Sequence, residues 1–224
     1  LRHGARVQAV VPIDHETAHV YVSGRRFDAL GAQGGQWLSW RFGTRQWWWQ
    51  GHPYSLSAGP QPNQLRITVK DLGDQSGTLH SLRPGTRVFF EGPYGAFRVD
   101  RRETNRLVLI GAGVGITPIR ALLDELPPNV SATVIYRVHQ EPAPLVDELR
   151  WIESNSAGRI RVFVVAGTRR QFPMTPGQLR KAAPRIGESD VYVCGPTGFI
   201  DAVTTSAIEL GVPVRRVHHE LFEF

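Results

Sequence analysis

The stretch LVLIGAGVGITPIRALL, from Leu107 to Leu123, joins an apolar strand-like run, a glycine-rich turn and a helix-forming run. The glycines permit a tight turn and a close approach of the backbone to a ligand. The helix that follows offers free N–H groups and the positive end of its dipole, which together attract a pyrophosphate. The stretch therefore predicts a dinucleotide-binding turn, and the alternative is a tight strand-to-helix turn without a ligand.

The glycine spacing in this turn departs from the usual dinucleotide fingerprint. The third glycine would fall at position 116, where the chain has Ile116, and Pro118 lies in the first turn of the predicted helix. This variant disfavours an ordinary dehydrogenase. The candidate dinucleotide-binding residues of the turn are Gly111, Gly113, Val114, Gly115, Thr117 and Pro118.

The rest of the second half repeats the same alternation of strand and helix. Alternating elements of this kind predict a parallel sheet with helices on both faces. The predicted strands are Leu107–Ile110, Ser131–Arg137, Arg161–Ala166 and Asp190–Cys194, and the predicted helices are Thr117–Leu126, Leu145–Ser154, Pro176–Ala183 and Gly198–Leu210.

The first half has a different sequence pattern, in which short strand-like runs are separated by Gly, Pro and Asp. Six such runs predict an antiparallel barrel or sandwich. The polar segment Asp100–Asn105 is the predicted linker, so we expect a β domain over residues 1–100 and an α/β domain over residues 106–224. The six predicted strands are Ala5–Val11, Thr17–Ser23, Gln36–Phe42, Tyr54–Ala58, Gln64–Lys70 and Arg87–Glu91.

Composition excludes several other classes of protein. The 224 residues hold one cysteine, Cys194, which excludes a disulfide framework and a multi-cysteine metal site, and we predict no metal ligands. The longest apolar stretch, Leu107 to Ile119, is too short for a membrane span, so we expect this chain itself to be soluble. The chain starts at Leu1 and its one methionine is Met174, which suggests a piece of a longer protein.

Arginines dominate the net charge of +6, since the only lysines are Lys70 and Lys181. Arg137 ends the second predicted parallel strand, where NAD-specific proteins place an acidic residue, so NADPH is favoured over NADH. Arg169 and Arg170 follow the third strand and belong to the same candidate site. The alternative is that these arginines are solvated surface residues.

Three further segments carry candidate ligand-binding residues. Cys194-Gly195-Pro196 ends the fourth parallel strand and leaves room for a flat ring, although a buried core cysteine is an equal alternative. In the first half, Gly51–Ser57 enters a strand with an aromatic ring beside hydroxyls, and Gly73–Leu79 is typical of a second phosphate-binding turn.

Taken together and in this order, these motifs resemble the ferredoxin–NADP⁺ reductase superfamily over nearly the whole chain. Its flavin motif is matched by His52-Pro53-Tyr54-Ser55-Leu56-Ser57, with His52 in place of the usual Arg. That version is typical of the FAD/NADPH-binding dehydrogenase module of the ferric reductase and NADPH oxidase branch. Further matches are Gly73–Ser76 on the FAD pyrophosphate, Gly92–Gly95 at the end of the barrel, Gly111–Pro118 on the NADP pyrophosphate, Cys194–Pro196 beside the nicotinamide, and the closing segment His219–Phe224.

The resemblance implies an antiparallel flavin-binding β-barrel followed by a parallel-sheet nucleotide-binding domain. It assigns catalytic roles to Ser55 near the flavin N5, to Cys194, to Glu220 in proton or hydride positioning, and to Phe224 or Phe222 as the aromatic that covers the flavin. The implied FAD contacts are His52, Pro53, Tyr54, Ser55, Leu56, Ser57, Thr68, Lys70, Gly73, Gln75, Ser76, Gly77, Thr78, Phe222 and Phe224. The implied NADPH contacts are Gly111, Gly113, Val114, Gly115, Thr117, Pro118, Arg137, Arg169, Arg170, Cys194, Gly195 and Pro196.

The implied activity is hydride transfer from NADPH to FAD, followed by single-electron transfer to haem in an N-terminal transmembrane domain of the same protein. Ferric iron or dioxygen is the expected final acceptor, and we expect the full-length protein in the cell membrane with this module facing the cytoplasm. One alternative is a free-standing flavin reductase of a soluble iron–sulfur protein, and another is a module that binds the cofactors without turnover. A barrel that binds single-stranded nucleic acid leaves the second half unexplained, so no nucleic-acid partner is expected.

The tryptophan cluster QWWWQ, Gln46–Gln50, directly precedes the flavin motif. Its tryptophans either pack under a loop or form a rim that faces a membrane or a partner domain, since Trp favours surfaces with an apolar and a wet side.

Overall fold

A computed structural model describes residues 3–45, 47–70 and 82–221 of the chain. Its internal contacts divide the protein into two compact units. The first comprises residues 1–98 together with residues 120–125, and the second comprises residues 99–119 and 126–224. None of the described helices has the length and apolar character needed to cross a bilayer.

The first unit is a closed antiparallel barrel. Its strands form two three-stranded sheets with the orders β1-β2-β5 and β4-β3-β6. The antiparallel bridges Arg6↔Arg87 and Leu56↔Ile67 join the sheets at both edges, which closes the barrel and confirms the predicted architecture. The strands are β1 (Arg6–Pro12), β2 (Thr17–Ser23), β3 (Trp37–Phe42), β4 (His52–Ser55), β5 (Gln64–Lys70) and β6 (Val88–Tyr94).

Alternating side chains along the strands fill the barrel interior. On β3, Leu38, Trp40 and Phe42 point inward and are fully buried. The indole N–H of Trp40 donates to the Tyr54 carbonyl oxygen at 3.0 Å, so the one polar atom of this buried side chain is hydrogen-bonded. Because Tyr54 belongs to β4, the barrel core fixes the strand that carries the flavin motif.

The second unit is built on a five-stranded sheet with the order β11-β10-β7-β8-β9, in which every strand pair is parallel. Strands alternate with helices along the chain, as predicted. The strands are β7 (Arg106–Ala112), β8 (Ser131–Val138), β9 (Ile160–Ala166), β10 (Asp190–Gly195) and β11 (Val217–Leu221). The helices are α1 (Ile116–Asp124), which begins in this unit and whose residues 120–124 belong to the first, α2 (Val146–Ser154), α3 (Pro176–Ala182) and α4 (Thr197–Glu209).

The strand β11 was missed by the sequence prediction, which treated this region only as a closing segment. Its sequence Val-His-His-Glu-Leu has no apolar run, and as an edge strand it does not need one. It pairs with β10 from Val191↔Val217 to Gly195↔Leu221. The pairing sets Glu220 directly beside Cys194, and this proximity was not visible in the sequence.

Candidate flavin and nicotinamide sites

The sheet of the second unit has a topological switch point between β7 and β10. From β7 the chain proceeds to β8 and β9 on one side and then crosses to β10 and β11 on the other. A crevice forms at the carboxyl ends of the strands where the order reverses, and ligands bind there in open α/β sheets. The glycine turn Gly111–Gly115 follows β7 at this point, and Cys194 and Gly195 end β10 beside it.

Gly115 lies against the end of β10. A Cβ atom at this position would lie 2.4 Å from the carbonyl oxygen of Cys194 and 3.0 Å from the amide nitrogen of Gly195. Both are backbone atoms, which cannot turn aside as a flexible side chain does. The close approach of the turn to β10 therefore requires glycine.

Gly113 has the opposite environment. Its φ is +55°, which favours glycine, and among the described residues a Cβ here would meet no atom within 4 Å. Thr117 donates its hydroxyl to the carbonyl oxygen of Val114 at 2.9 Å, which holds the turn from within. Pro118 lies in the first turn of α1, where no intrahelical N–H bond is lost. An open backbone turn at a helix start fits a pyrophosphate.

Arginines lie at the carboxyl ends of the next two strands. The Arg137 guanidinium lies 4.4 Å from the centre of the Phe199 ring, and Arg169 donates to the Gly198 carbonyl oxygen at 3.2 Å. Burial lowers the pKa of Arg137, and the positive charge of Arg169 lowers it further. Within the described part of the chain no carboxylate forms an ion pair with Arg137, Arg169 or the exposed Arg170. Cations held together without a counter-charge favour an anionic ligand.

Cys194 and Glu220 are partners across the β10–β11 ladder. The Cys194 side chain has no exposed surface, and burial, followed by the nearby Glu220 carboxylate, raises its thiol pKa. The cysteine is therefore a neutral thiol at physiological pH. Burial also raises the pKa of Glu220 to about 7, so this carboxyl group exchanges a proton near neutrality. Contact of Cys194 with a nicotinamide stays a prediction.

The raised Glu220 pKa has a consequence for stability. The folded chain retains this proton up to about pH 7, whereas the unfolded chain releases it near 4.5. Because the folded state binds more protons between these values, Glu220 lowers the free energy of unfolding as pH rises through that window. We expect Glu220→Gln to gain stability relative to wild type at pH 8 but not at pH 4, measured by urea unfolding. The exposed Glu209→Gln is the control, and an equal difference at both pH values would contradict the expectation.

The flavin motif lies on β4 and the residues that follow it. Tyr54 is half-buried, and burial raises its pKa to about 12, so its phenol stays neutral. The His52 ring packs on Trp47 with centroids 4.3 Å apart, and burial lowers its pKa, which favours the neutral imidazole. Ser55 is buried. The strand β4 thus presents the partly exposed ring of Tyr54 at the barrel surface, an arrangement that fits a flat flavin ring.

Several predicted FAD contacts have partners within the protein. Ser57 is fully buried, and its hydroxyl accepts from Arg66 Nε at 3.1 Å. Thr68 Oγ1 lies 2.8 Å from His19 Nδ1, and Lys70 forms an ion pair with Glu16 at 3.1 Å. The Leu56 side chain belongs to the barrel core, while Pro53 is exposed. Apart from Pro53, these side chains have structural partners, and the contact of all five residues with FAD stays a prediction.

Two groups of predicted site residues lie outside the described residues. They are the pyrophosphate turn with Gly73, Gln75, Ser76, Gly77 and Thr78, and the closing aromatics Phe222 and Phe224. The sequence prediction also missed two residues that shape the sites, Phe199 under Arg137 and Arg66 behind Ser57. Phe199 stands three residues after Pro196, so the helix start after the Cys-Gly-Pro motif was the available signal.

A flavin-type barrel and a parallel-sheet unit with a dinucleotide turn define the class of two-domain flavin–nicotinamide reductases. Residues 3–98 match the family model of an FAD-binding domain, and residues 109–205 match that of an oxidoreductase NAD-binding domain. The chain is a ferredoxin–NADP⁺ reductase-like FAD- and NAD-binding module. It is an NAD(P)H-dependent flavin oxidoreductase module, and its cofactors are FAD and NAD(P)H.

Individual relatives agree with this family. Flavohemoprotein A of Dictyostelium discoideum is 29% identical over 190 residues, which cover 75% of this chain and 46% of the relative. The FAD/NAD-binding domain of a nitric oxide dioxygenase from Vibrio cholerae superposes with a TM-score of 0.80 at 23% identity, covering 97% of this chain and 98% of that one. The cytochrome b5 reductase domain of Ulva prolifera nitrate reductase gives a TM-score of 0.82 at 17% identity, covering 97% of each chain. The chain spans about half the length of the curated relatives it matches.

Proposed function

We propose that this chain takes a hydride from NADPH onto FAD and passes electrons singly to haem held by another domain of the same protein. The observation that carries the choice of NADPH is the pair Arg137 and Arg169 at the carboxyl edge of the sheet. No carboxylate among the described residues pairs with these arginines. The adenosine 2′-phosphate of NADPH supplies a negative charge to them, whereas NADH has no 2′-phosphate.

Different residues of this chain bind and orient the nicotinamide nucleotide and the flavin. Gly113 and the start of α1 hold the pyrophosphate, while Arg137 and Arg169 fix the adenosine end. Tyr54 offers a neutral aromatic surface to the flavin ring, and the buried Ser55 lies in the wall beside it. FAD, when bound, accepts a hydride and releases electrons one at a time, which links a two-electron donor to a one-electron acceptor.

The role of Arg137 is tested by Arg137→Ala. A charged hydrogen-bonded pair contributes about 2 kcal/mol, so we expect the KM for NADPH to rise about tenfold to thirtyfold while the KM for NADH changes little. Steady-state reduction of an artificial electron acceptor measures both constants. Arg180→Ala, which removes an exposed arginine from α3, is the matched control. An equal rise for both nucleotides would show that Arg137 acts only through its packing on Phe199.

For the haem we propose an N-terminal transmembrane domain, with this module at the cytoplasmic face of the cell membrane and ferric iron or dioxygen as final acceptor. The His52-Pro53-Tyr54-Ser55 motif supports this branch. Trp49 adds support, since 83% of its surface is exposed, and Trp48 is 44% exposed and packs edge-on against Phe89. Exposed tryptophans favour a membrane surface or an apolar partner. Trp47, by contrast, is buried in the barrel.

The relatives favour a second candidate, in which the haem belongs to a haem domain of the kind their name, flavohemoprotein, indicates. Fractionation of the source cells separates the two candidates. Full-length protein in the membrane fraction, with haem that NADPH reduces, supports the first, and full-length haem protein in the supernatant supports the second. Full-length protein without haem would contradict both and favour an iron–sulfur acceptor.

A further inference from the structure

We propose that the second unit carries a separate binding site for a small phosphorylated anion at the amino edge of its sheet. A cavity of about 350 Å³ opens there, where β7, β8 and β9 begin. Its polar lining consists mainly of guanidinium and hydroxyl groups, which belong to Arg106, Arg159, Arg161, Arg185, Ser131 and Thr133. We call it the amino-edge cavity.

Strand register explains why these side chains converge. Arg106 pairs with Ser131 across β7 and β8, and Thr133 pairs with Arg161 across β8 and β9. Residues two apart on a strand share a face, so Ser131 and Thr133 project from the same side of the sheet as their paired arginines. These two register pairs therefore place guanidinium groups and hydroxyls side by side at the amino-terminal edge of the sheet.

The amino-edge cavity carries an excess of positive charge, since none of the described residues that line it is Asp or Glu. Arg185 forms an ion pair with Glu188, and Arg159 donates to the carbonyl oxygens of Pro127 and Val130. Among the described residues, no carboxylate lies within ion-pair distance of Arg106, Arg159 or Arg161. Glu188 interacts electrostatically with Arg106, and Glu153 interacts with Arg161. Glu153 already accepts hydrogen bonds from Arg150 and from the Val162 amide.

The ligand class follows from these groups and from the cavity volume. Guanidinium forks bind phosphate oxygens in pairs, and hydroxyls donate to the oxygens that remain. Ala132, Ala183 and Pro184 add an apolar wall against which a small organic body packs. A volume of about 350 Å³ is at the lower end for small-molecule sites, which suits one or two phosphates on a small metabolite.

This cavity is distinct from the dinucleotide site. The eight residues of β8 separate the two edges of the sheet by about 25 Å, so one dinucleotide bound at the carboxyl edge leaves the amino edge free. The proposal therefore does not depend on whether the second unit prefers NADPH or NADH. The proposed site assigns a ligand-binding role to some of the arginines that give the chain its positive net charge.

Isothermal titration with inorganic pyrophosphate tests the proposal. The protein is loaded with FAD and saturated with NADP⁺ so that its cofactor sites are filled, and the titration is repeated on Arg137→Ala to exclude residual binding at the carboxyl edge. We expect one pyrophosphate per chain. Arg106→Gln and Arg161→Gln are each expected to weaken binding at least tenfold, while Arg180→Gln, an exposed arginine outside the cavity, leaves it unchanged.

Three further measurements complete the test. Thermal unfolding of each variant without ligand verifies that the variant is folded. NADPH-dependent flavin reduction should stay at the wild-type rate, because the cavity lies at the opposite edge of the sheet from the dinucleotide site. Sedimentation with vesicles of phosphatidylcholine with and without phosphatidic acid separates the two sources of phosphate. Retention that requires Arg161 and that pyrophosphate displaces assigns a lipid headgroup, and its absence assigns a free anion. The proposal would be overturned if the wild-type protein did not bind pyrophosphate, or if both cavity variants bound it as tightly as the wild type.

Discussion

Replacement of Gly115 by Ala is expected to lower NADPH-dependent flavin reduction by about tenfold to a hundredfold. The added methyl group would lie 2.4 Å from the Cys194 carbonyl oxygen and 2.7 Å from the Cys194 carbonyl carbon, so the turn must move away from β10. Shifts of about 1 Å in a site that orients a reacting group cost rate on this scale. Forced overpacking of the same contact costs about 1–3 kcal/mol of stability. Stopped-flow reduction and urea unfolding of the same variant measure both effects.

Gly177→Ala is the matched control for this substitution. Gly177 lies in the first turn of α3, where φ is not positive and where, among the described residues, a Cβ would meet only the Thr175 hydroxyl, at 4.0 Å. Alanine there is expected to leave the rate unchanged and to stabilise the helix slightly. A Gly115→Ala protein that retains wild-type stability and NADPH affinity would show that the turn does not rest on β10 as described.

Asp190→Asn is expected to destabilise the second unit by about 2–4 kcal/mol. The Asp190 carboxylate has no exposed surface and accepts from the Glu103 amide at 3.0 Å and from the Thr104 amide at 2.8 Å. It also accepts from the Thr104 hydroxyl at 2.7 Å and lies 3.1 Å from His218 Nε2. An asparagine side chain has only one acceptor oxygen and turns its NH₂ group toward one of these donors, which leaves buried groups unpaired.

The pH dependence of this effect has a definite sign. Burial raises the pKa of Asp190, but the hydrogen bonds from Thr104, Glu103 and His218 outweigh burial and hold the pKa below its usual value of 3.8. The folded state then binds fewer protons than the unfolded state, so the stabilisation exists above the unfolded pKa and is lost as pH falls through the folded one. Urea unfolding should give a larger wild-type advantage at pH 7 than at pH 3.

The exposed Asp201→Asn on α4 controls for simple loss of charge. Asp190→Asn with the stability of wild type at pH 7 would contradict the account. So would a deficit in that variant that does not shrink at acidic pH.

Sequence patterns sufficed for the fold where hydrophobic periodicity was strong. The runs around Leu107–Ile110 and Asp190–Cys194 became the buried central strands β7 and β10, because a parallel strand covered on both faces must be apolar throughout. The same reasoning failed for β11, whose His218, His219 and Glu220 lie at the sheet edge and carry no such pattern.

The site was less predictable where its partners are distant in sequence. Thr68 contacts His19, which is 49 positions earlier, and no local motif reports that contact. Arg137 was assigned from its place at the end of a strand, but its position over Phe199 depends on the packing of α4. Motifs thus predicted which edge of the sheet carries the candidate ligand site, whereas the contacts made by individual side chains required the structure.

Anaerobic reduction of the FAD-loaded protein shows which nucleotide donates the hydride. Protein and flavin are mixed with NADPH or with NADH in the absence of oxygen, and the visible absorbance band of the oxidised flavin is followed. We predict that NADPH bleaches the band completely and at lower concentration than NADH. The described residues give Arg137 and Arg169 no carboxylate partner, and of the two nucleotides only NADPH brings a 2′-phosphate to them. A flavin that binds but is bleached by neither nucleotide, or that NADH bleaches at lower concentration, would contradict the account.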